Sequence, residues 1–462
     1  MNVIKTYRTD WLASEPIFYN EQTGKVSENI NEVIDFNNIE FHPEGLNNYL
    51  EFGYSVFEQT PIKNVKFLRH SSCIKVFDDN SIKVEYLPDP INQLLDKSST
   101  ENEVIDLLKS KINEWESKQG ENIIIPTSGG YDSRLLTFLI QDKNKIESYT
   151  YGISNNQSQS YEVIIAKELT NRLGIKWRQI ELGLFHNYFD EWDNLFGIST
   201  HAHGMYHMEF YNKISKITET RHLLSGIIGD SWAGSIKSFK LTSLHDLHLI
   251  GYTHGIKADV SESRLKTDYK LKKRFWEEHK DVINQEKYQV VWLIRFKMIL
   301  LSYLIRVPKY LGFKPWSPFL DIEVAMKMLN LSQKKRLNRL WQKDFFKKNN
   351  INFEEKHNLK YHHENTLDFQ AMKNVKLKPL NSSLFKEIIN TQYIEHINSS
   401  LLKLDPNILQ KIIYRTLRLP KIGGGLRMLG ANDFKDSILN SYNAYLTLKP
   451  IENILIKRKL KN

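Results

Sequence analysis

Cysteine is almost absent from this chain, which has a single one, Cys73, among 462 residues. One cysteine excludes an intramolecular disulfide framework and is typical of proteins that work in a reducing cytosol. The first ten residues also lack the apolar run of a secretory signal peptide. Both observations predict a cytoplasmic protein in which Cys73 is a thiol of the core.

Long uncharged apolar runs are missing as well. The most apolar segment, 290–307, is interrupted by Arg295, Lys297 and Arg306, and its longest uncharged stretch is Met298 to Ile305. Such a stretch is too short to cross the hydrocarbon core of a bilayer, which takes about 20 residues. We therefore expect a buried helix here, and no membrane partner.

No block of charge of one sign stands out, although the net charge is +10. The 64 basic and 54 acidic residues are dispersed along the chain, which argues against nucleic acid as the partner. We interpret the positive excess as weak steering of anionic substrates. The length and the 41% hydrophobic content allow two or three domains with substantial cores.

The most informative stretch runs from Ile123 to Arg134 and reads IIIPTSGGYDSR. Its three isoleucines predict a buried parallel strand, and the apolar residues after it predict a helix. Glycines in the intervening turn allow a ligand to approach the backbone in front of the positive end of the helix. These features predict an anion-binding loop with candidate contacts from Thr127, Ser128, Gly129, Gly130 and Ser133.

Asp132 lies inside this loop, where a carboxylate would repel a bound polyphosphate. The repulsion is removed if Mg²⁺ lies between them, because this ion takes oxygen ligands from carboxylates and phosphates. The loop follows neither the G-x-x-x-x-G-K-[S/T] nor the G-x-G-x-x-G pattern, so the common kinase and dinucleotide interpretations fail. Asp132 therefore predicts a magnesium-bridged nucleotide.

Strands and helices continue to alternate after this loop. Residues 148–152 are typical of a second strand ending in glycine, and a helical pattern then runs to Gly174. Such alternation predicts an α/β fold with a doubly wound parallel sheet. A linker near 97–100 separates it from an earlier β-containing part, in which 74–77 and 82–86 alternate as two strands. The downstream part is expected to be helical.

Ser128 to Ser133 resembles the S-G-G-x-D-S pyrophosphate loop of the N-type ATP pyrophosphatases, and its surroundings resemble asparagine synthetase and its relatives. A second segment, Ser225 to Gly234, is similar to the family signature S-G-x-G-x-D-E-x-x-x-G. The resemblance implies an adenine nucleotide alpha-hydrolase-like fold and an asparagine synthetase-like domain over residues 97–462. It also implies a truncated, inactive glutaminase-like domain over residues 1–96, because Asn2 stands where the family has its nucleophilic cysteine.

The same resemblance implies roles for individual residues. Asp230 would be the second Mg²⁺ ligand beside Asp132, and Tyr151 would line the adenine site. Lys360 is the candidate for the catalytic lysine that balances charge on the phosphorus during adenylation. The residues that would contact ATP from the second signature are Ser225 and Gly226.

Three positions depart from that second signature. Ile228 replaces a glycine, Ser231 replaces a glutamate, and Ile227 stands where relatives have a glutamate or a tyrosine. Isoleucine cannot move protons, so the acceptor for a proton from the amine must come from elsewhere. An apolar Ile227 also predicts a pocket wall that faces a hydrophobic or sugar-ring part of the substrate.

Three histidines, His201, His203 and His207, have a spacing that a zinc site tolerates. No cysteine or further histidine completes a recognisable ligand set. The resemblance places the corresponding stretch near the synthetase pocket, so we interpret the three histidines as polar side chains near the substrate.

The leading hypothesis is an ATP-dependent amidoligase of the asparagine synthase type. It would adenylate the carboxylate of a small molecule, peptide or sugar, with release of pyrophosphate, and ammonia or an amine would then form the amide. A separate glutaminase would be one source of that ammonia. Two alternatives remain: a non-catalytic nucleotide-binding or scaffold homologue, favoured by the changes at Asn2 and Ile227, and a tRNA-modifying enzyme, disfavoured by the single cysteine and the second signature.

Overall fold

Strands and helices alternate through most of the chain in the computed structural model, which describes residues 2–95, 97–253, 255–354, 366–402, 404 and 434–460. In chain order the strands β1 to β11 are Val3–Arg8, Phe18–Asn20, Val26–Ser27, Val65–Phe67, Ser72–Phe77, Ile82–Tyr86, Ile123–Pro126, Ile146–Thr150, Lys176–Gln179, His222–Leu224 and Lys314–Trp316. The α-helices α1 to α18 are Ile30–Val33, Pro43–Phe52, Glu101–Ser117, Tyr131–Leu139, Tyr161–Leu173, Phe189–Phe196, Met205–Ser215, Gly229–Ala233, Leu247–Ile250, Lys270–His279, Glu286–Leu301, Tyr303–Tyr310, Ile322–Leu329, Gln333–Arg336, Leu340–Lys348, Leu367–Asn374, Thr391–Leu402 and Phe434–Lys459. The predicted α/β class is confirmed.

Five of these strands form a parallel sheet in the order β11-β10-β7-β8-β9. The central strand is β7, in which Ile123 pairs with His222 of β10 on one side and with Ile146 of β8 on the other. The chain first builds β7, β8 and β9 outward and then returns to place β10 on the other side of β7. The order of the strands therefore reverses between β7 and β10.

Both faces of this sheet are buried, as the run of isoleucines in β7 predicts. Ile123 and Ile125 pack into one apolar cluster with α3, α4 and α5, whereas Ile124 packs into another with α6, α7 and α18. All three side chains are fully buried. Burial on two faces fixes β7 in the middle of the molecule, so the loop at its carboxyl end is held in a defined position.

The N-terminal part contains two antiparallel sheets, with strand orders β1-β5-β6 and β3-β2-β4. The predicted pairing of 74–77 with 82–86 is confirmed, since β5 and β6 pair antiparallel from Ser72–Tyr86 to Val76–Ile82. Cys73 lies in β5 and is 3% exposed, as expected for a core thiol.

Several contacts join this N-terminal part to the parallel-sheet part. The indole Nε1 of Trp11 donates to the Leu320 carbonyl at 2.9 Å, and its ring lies 5.6 Å from that of Trp232. Arg295 of α11, whose side chain is buried, forms a bidentate pair with Asp89 at 2.6 and 2.8 Å. The two parts share apolar clusters and do not merely touch.

Local signals in the sequence set the helix boundaries. Thr100 and Glu103 form the capping box that opens α3, in which side chain and backbone bond reciprocally. The apolar segment 290–307 is helical but divides at Ser302 into α11 and α12. The second predicted strand lies two residues earlier than expected, at β8, which leaves Tyr151 and Gly152 beyond its end. In the part of the chain that the structure describes, no helix combines the length and apolarity needed to span a membrane.

Candidate functional site

The loop between β7 and α4 is held together by its own two serines. The Ser128 backbone N–H donates to Ser133 Oγ at 3.1 Å, and the two hydroxyl oxygens lie 3.2 Å apart. The Gly130 N–H donates to Ser128 Oγ at 3.1 Å. Because α4 begins at Tyr131, its first backbone N–H groups face this loop and have no acceptor within the helix. The loop, residues 128–133, is therefore a preformed cradle that presents backbone N–H groups and hydroxyls.

The two glycines of the loop have different structural roles. A Cβ on Gly129 would lie 2.6 Å from the ring of Tyr161, so this position has no room for a side chain. A Cβ on Gly130 would approach only Ser128 Oγ, at 3.0 Å, and Gly130 is exposed. Packing against α5 thus requires Gly129, whereas Gly130 leaves the open side of the cradle free for a ligand.

The loop after β10 packs directly against the loop after β7. A Cβ on Gly226 would lie 3.1 Å from Asp132 Cβ, and a Cβ on Gly229 would lie 2.9 Å from Asp132 Cγ. Asp230 follows Gly229 in α8, and its Oδ2 accepts a hydrogen bond from Ser235 Oγ at 3.0 Å. The two acidic residues predicted from sequence are therefore brought together at the carboxyl ends of neighbouring parallel strands.

The pKa of Asp132 reflects this proximity. Burial and then the Asp230 carboxylate raise the pKa of Asp132 to about 7. The Gln342 amide, which donates to Asp132 Oδ1 at 3.2 Å, and the Arg339 guanidinium offset part of this rise. A raised carboxyl pKa beside a second carboxylate indicates a position that a cation would stabilise.

Ile228 has the left-handed backbone conformation, with φ of 55°. A β-branched residue rarely adopts this conformation, which glycine adopts readily. The signature that this segment resembles has glycine at this position, and glycine would adopt this backbone conformation without strain. The turn at Ile228 allows Gly229 to lie against Asp132.

Arg134, the last residue of the SGGYDSR motif, is fully buried and anchors the loop from behind. Its guanidinium donates to the Gly129 carbonyl at 2.9 Å and forms a bidentate pair with Glu354 at 2.8 and 3.1 Å. Tyr161 also donates to Glu354, at 3.2 Å. This network fixes the backbone of the cradle to a segment more than 200 residues later in the chain.

A cavity of about 960 Å³ adjoins the loop that carries Asp230, and none of residues 128–133 is among its described lining. Ile228, Asp230 and Ser231 form one part of its wall, and residues from α11, α12 and α16 form much of the rest. Its volume suits a small-molecule substrate. The second sequence-predicted segment, Ser225 to Gly234, contributes Asp230 to the wall of this cavity.

Two of the three predicted histidines, His201 and His203, line this cavity. Burial lowers the pKa of His207 to about 3 and holds the pKa of His201 well below its ordinary value, so both imidazoles are neutral at pH 7. The ring of His203 lies 3.9 Å from the Asp368 carboxylate. No group of three or more His, Cys, Asp or Glu side chains suited to a metal ion occurs within the described ranges.

The other sequence-predicted site residues lie at different places around the loops. Thr127 is buried, and its hydroxyl donates inward to the Ile125 carbonyl at 3.1 Å, away from the cradle. Tyr151 packs against Tyr206 and Phe210, with ring centroids 5.8 and 5.0 Å away. The Ser225 N–H donates to the Trp316 carbonyl at 2.8 Å, which ties its loop to β11. Lys360 lies outside the described residues.

Ile227 is not among the residues that line the Asp230 cavity. It is 5% exposed and lines a second cavity of about 320 Å³, together with Glu15, Lys309 and Trp316. The apolar wall beside Asp230 is Ile228. The prediction that Ile227 faces the substrate therefore applies to a different cavity from the one that Asp230 lines.

Three polar residues near the acidic pair were missed by the sequence interpretation. Gln342 contacts Asp132 directly, and the Arg339 guanidinium lies 4.4 Å above the Tyr131 ring. Lys297 lines the cavity together with Asp230. None has a local signal: Gln342 and Lys297 lie in ordinary helical sequence, Arg339 lies in a left-handed turn just before α15, and all three reach the site through tertiary packing. In comparisons with known proteins, no family model and no curated protein matches the chain.

Proposed function

We propose that this protein is an ATP-dependent amidoligase of the asparagine synthase type, with the cradle 128–133 as its pyrophosphate loop. The observation that carries the proposal is the packing of Gly226 and Gly229 against Asp132, which unites two motifs almost 100 residues apart into one acidic site. A chance Gly-Gly turn has no reason to meet a second acidic loop at the end of the adjacent strand.

The strand order supports a doubly wound sheet for this site. In open α/β sheets, ligands bind at the carboxyl ends of strands where the order reverses. Here the reversal lies between β7 and β10, and these two strands lead into the cradle and into the Asp230 loop. An adenine nucleotide placed at this point would have its phosphates at the amino end of α4.

The residues present fit Mg²⁺. Two carboxylates, one of them with a pKa raised by burial and by its acidic neighbour, form a donor set of oxygen atoms that suits this ion when substrate phosphates complete its coordination. Bound Mg²⁺ would neutralise charge on the departing pyrophosphate. Asp132 and Asp230 would hold the ion, and Gln342 would keep Asp132 in position.

The proposed reaction has two steps. A carboxylate oxygen of the substrate attacks the α-phosphorus of ATP, the bond from this phosphorus to the bridging oxygen breaks, and pyrophosphate leaves. The nitrogen of ammonia or an amine then attacks the acyl carbon, AMP leaves, and the nitrogen loses a proton. Activation is required because a carboxylate is a poor electrophile, whereas AMP is a good leaving group.

The chain supplies binding and charge for the first step. The backbone N–H groups at the start of α4 and the hydroxyls of Ser128 and Ser133 would bind the phosphates. Arg339, whose charge reaches Asp132, would balance negative charge that develops on the phosphorus. That role was predicted for Lys360, and Arg339 is a second candidate that the geometry favours.

Exchange of labelled pyrophosphate into ATP tests the adenylation step. We expect exchange that requires Mg²⁺ and one acid from a panel of amino acids, peptides and uronic acids, because only formation of an acyl-adenylate makes pyrophosphate release reversible. Exchange that needs no acid, or exchange that proceeds equally well without Mg²⁺, would contradict the proposal.

A non-catalytic nucleotide-binding homologue is the second candidate. It is favoured by Ile228, which introduces backbone strain and an apolar side chain beside Asp230. ATP binding by the purified protein without exchange for any acid in the panel would support this candidate over the ligase.

Glutamine is not expected to serve as nitrogen donor for the protein alone. Hydrolysis of its amide needs an activated thiolate, Asn2 cannot supply one, and Cys73 is enclosed in β5. With an accepted acid, ATP and Mg²⁺, we expect nitrogen-15 to enter the product from ammonium but not from amide-labelled glutamine. Mass spectrometry of the product measures this.

Cys73→Ala provides the control for the nitrogen experiment. Product labelled from glutamine by the native protein, and unlabelled in this variant, would assign glutaminase activity to Cys73 and overturn the expectation. Equal ammonium-dependent product in both proteins shows that the substitution leaves the ligase intact.

A further inference from the structure

The cavity beside Asp230 contains one unpaired cation among the residues described. Lys297 is the sole Lys or Arg of its described lining, and it forms no hydrogen bond or ion pair with any described residue. The other cations of α11 have structural partners: Arg295 pairs with Asp89, and Lys287 donates to the Leu95 carbonyl at 2.7 Å and to Asn330 Oδ1 at 2.6 Å. A half-buried ammonium without a partner indicates an anionic ligand.

Burial lowers the pKa of Lys297 to about 8, and the Asp230 carboxylate opposes this change. The side chain therefore remains largely protonated at pH 7. Its charge is close enough to Asp230 to interact with it, but no hydrogen bond joins the two in the described structure. An anion bound at Lys297 would consequently lie near Asp230.

A second group in the wall has a fixed hydrogen-bonding role. His201 Nδ1 accepts the His203 N–H at 3.3 Å, so in the neutral imidazole the proton must be on Nε2. This Nε2–H donor has no acceptor among the described residues, and the His201 side chain is 2% exposed. Buried donors are normally satisfied, which indicates an acceptor oxygen on the ligand.

Tyrosine rings form another part of the cavity wall. The hydroxyl oxygens of Tyr206 and Tyr303 lie 3.1 Å apart, and both residues line the cavity. Aromatic faces with hydroxyl edges suit a ring or chain that carries both C–H and O–H groups.

We propose that Lys297 binds the carboxylate of the acid to be activated, and that this substrate carries a further uncharged oxygen acceptor for His201. The substrate class is a hydroxylated or carbonyl-bearing carboxylic acid, held in the cavity beside Asp230. For its place in the reaction the proposal rests on the amidoligase function, but binding of the acid to the cavity does not require turnover.

The first experiment measures binding without ATP or Mg²⁺. A hexuronic acid, an α-hydroxy acid, a free amino acid and a dipeptide, each with its primary amide, are titrated into the protein by calorimetry. We expect at least one hydroxylated acid to bind and its amide to bind at least 10-fold more weakly. Lys297→Met should weaken the acid on the order of 10- to 100-fold, because a charge-assisted hydrogen bond is lost, and Lys297→Arg should restore part of the affinity.

Lys309→Met is the matched control. Lys309 lies on α12, faces the neighbouring 320 Å³ cavity and pairs with Glu15 at 2.6 Å, so its loss should leave acid binding unchanged. Equal binding of acid and amide, unaltered binding by Lys297→Met, or no binding of any acid would contradict the proposal.

The second experiment separates this proposal from the amidoligase function. In pyrophosphate exchange, Lys297→Met should raise KM for the acid on the order of 10- to 100-fold and leave KM for ATP unchanged. Exchange with an unaltered KM for the acid would overturn the role of Lys297 and retain the ligase. If acid binding depends on Lys297 but the protein has no exchange activity, the proposed role of Lys297 stands and the proposed amidoligase function is overturned.

Discussion

Asp132→Asn and Asp230→Asn are each expected to lower pyrophosphate exchange on the order of 1,000-fold while the protein remains folded. Each substitution removes one of the two charged oxygen donors proposed for Mg²⁺, and metal-assisted charge stabilisation is worth several kcal/mol in the transition state. Neither side chain contributes apolar packing, so the loss should appear in exchange and not in the circular dichroism spectrum.

Asp190→Asn is the matched control for these two variants. Asp190, like Asp132, is the second residue of its helix, but it lies at the exposed amino end of α6, away from the sheet loops. Its exchange activity should equal that of the native protein. Native exchange in Asp132→Asn or Asp230→Asn would remove the basis of the proposed pyrophosphate-loop mechanism.

Asp132→Asn is also expected to stabilise the ligand-free protein at neutral and alkaline pH. The pKa of Asp132 is raised from 3.8 to about 7 in the folded state, so between these values the unfolded chain releases a proton that the folded protein retains. Stability from this group is full below pH 4, declines as pH rises, and is lost above pH 7. Asparagine carries no charge and avoids that loss, which amounts to a few kcal/mol.

Thermal unfolding at pH 4.5 and pH 8, without nucleotide or Mg²⁺, measures this effect. The stability of Asp132→Asn relative to the native protein should increase between the two pH values, and addition of ATP with Mg²⁺ should stabilise the native protein more than the variant. A stability difference independent of pH would show that Asp132 does not carry the raised pKa. Asp132→Asn would then change pyrophosphate exchange but not the pH dependence of stability.

Short-range patterns were sufficient for the elements that lead to the site. The three isoleucines of β7 could be interpreted without context because continuous apolar runs of that length are typical of strands buried on both faces. The cradle could be predicted because its glycines and serines are neighbours in the chain, and the same holds for the capping box at Thr100. The proximity of Asp132 and Asp230 could be predicted as well, because both residues follow strands of one parallel sheet.

Features that depend on long-range packing could not be predicted from the sequence. The sequence of α11 does not distinguish its three basic residues. Tertiary contacts pair Lys287 and Arg295, whereas Lys297 has no partner among the described residues. The residue types of Ile227 and Ile228 also give no sign of which side chain faces the cavity. Only Ile228 of the two lines the cavity of Asp230, and no pattern of residue types encodes its positive φ.

The junction between the N-terminal part and the parallel sheet has a consequence for how this protein can change over evolutionary time. Residues 2–95 supply none of the proposed catalytic groups, yet Asp89 neutralises the buried Arg295, and Trp11 covers α8, the helix that carries Asp230. A chain that discarded these residues would leave a charge without a partner inside α11, whose Lys297 lines the cavity, at a penalty of several kcal/mol. Selection on the parallel-sheet part alone is therefore sufficient to preserve its N-terminal neighbour.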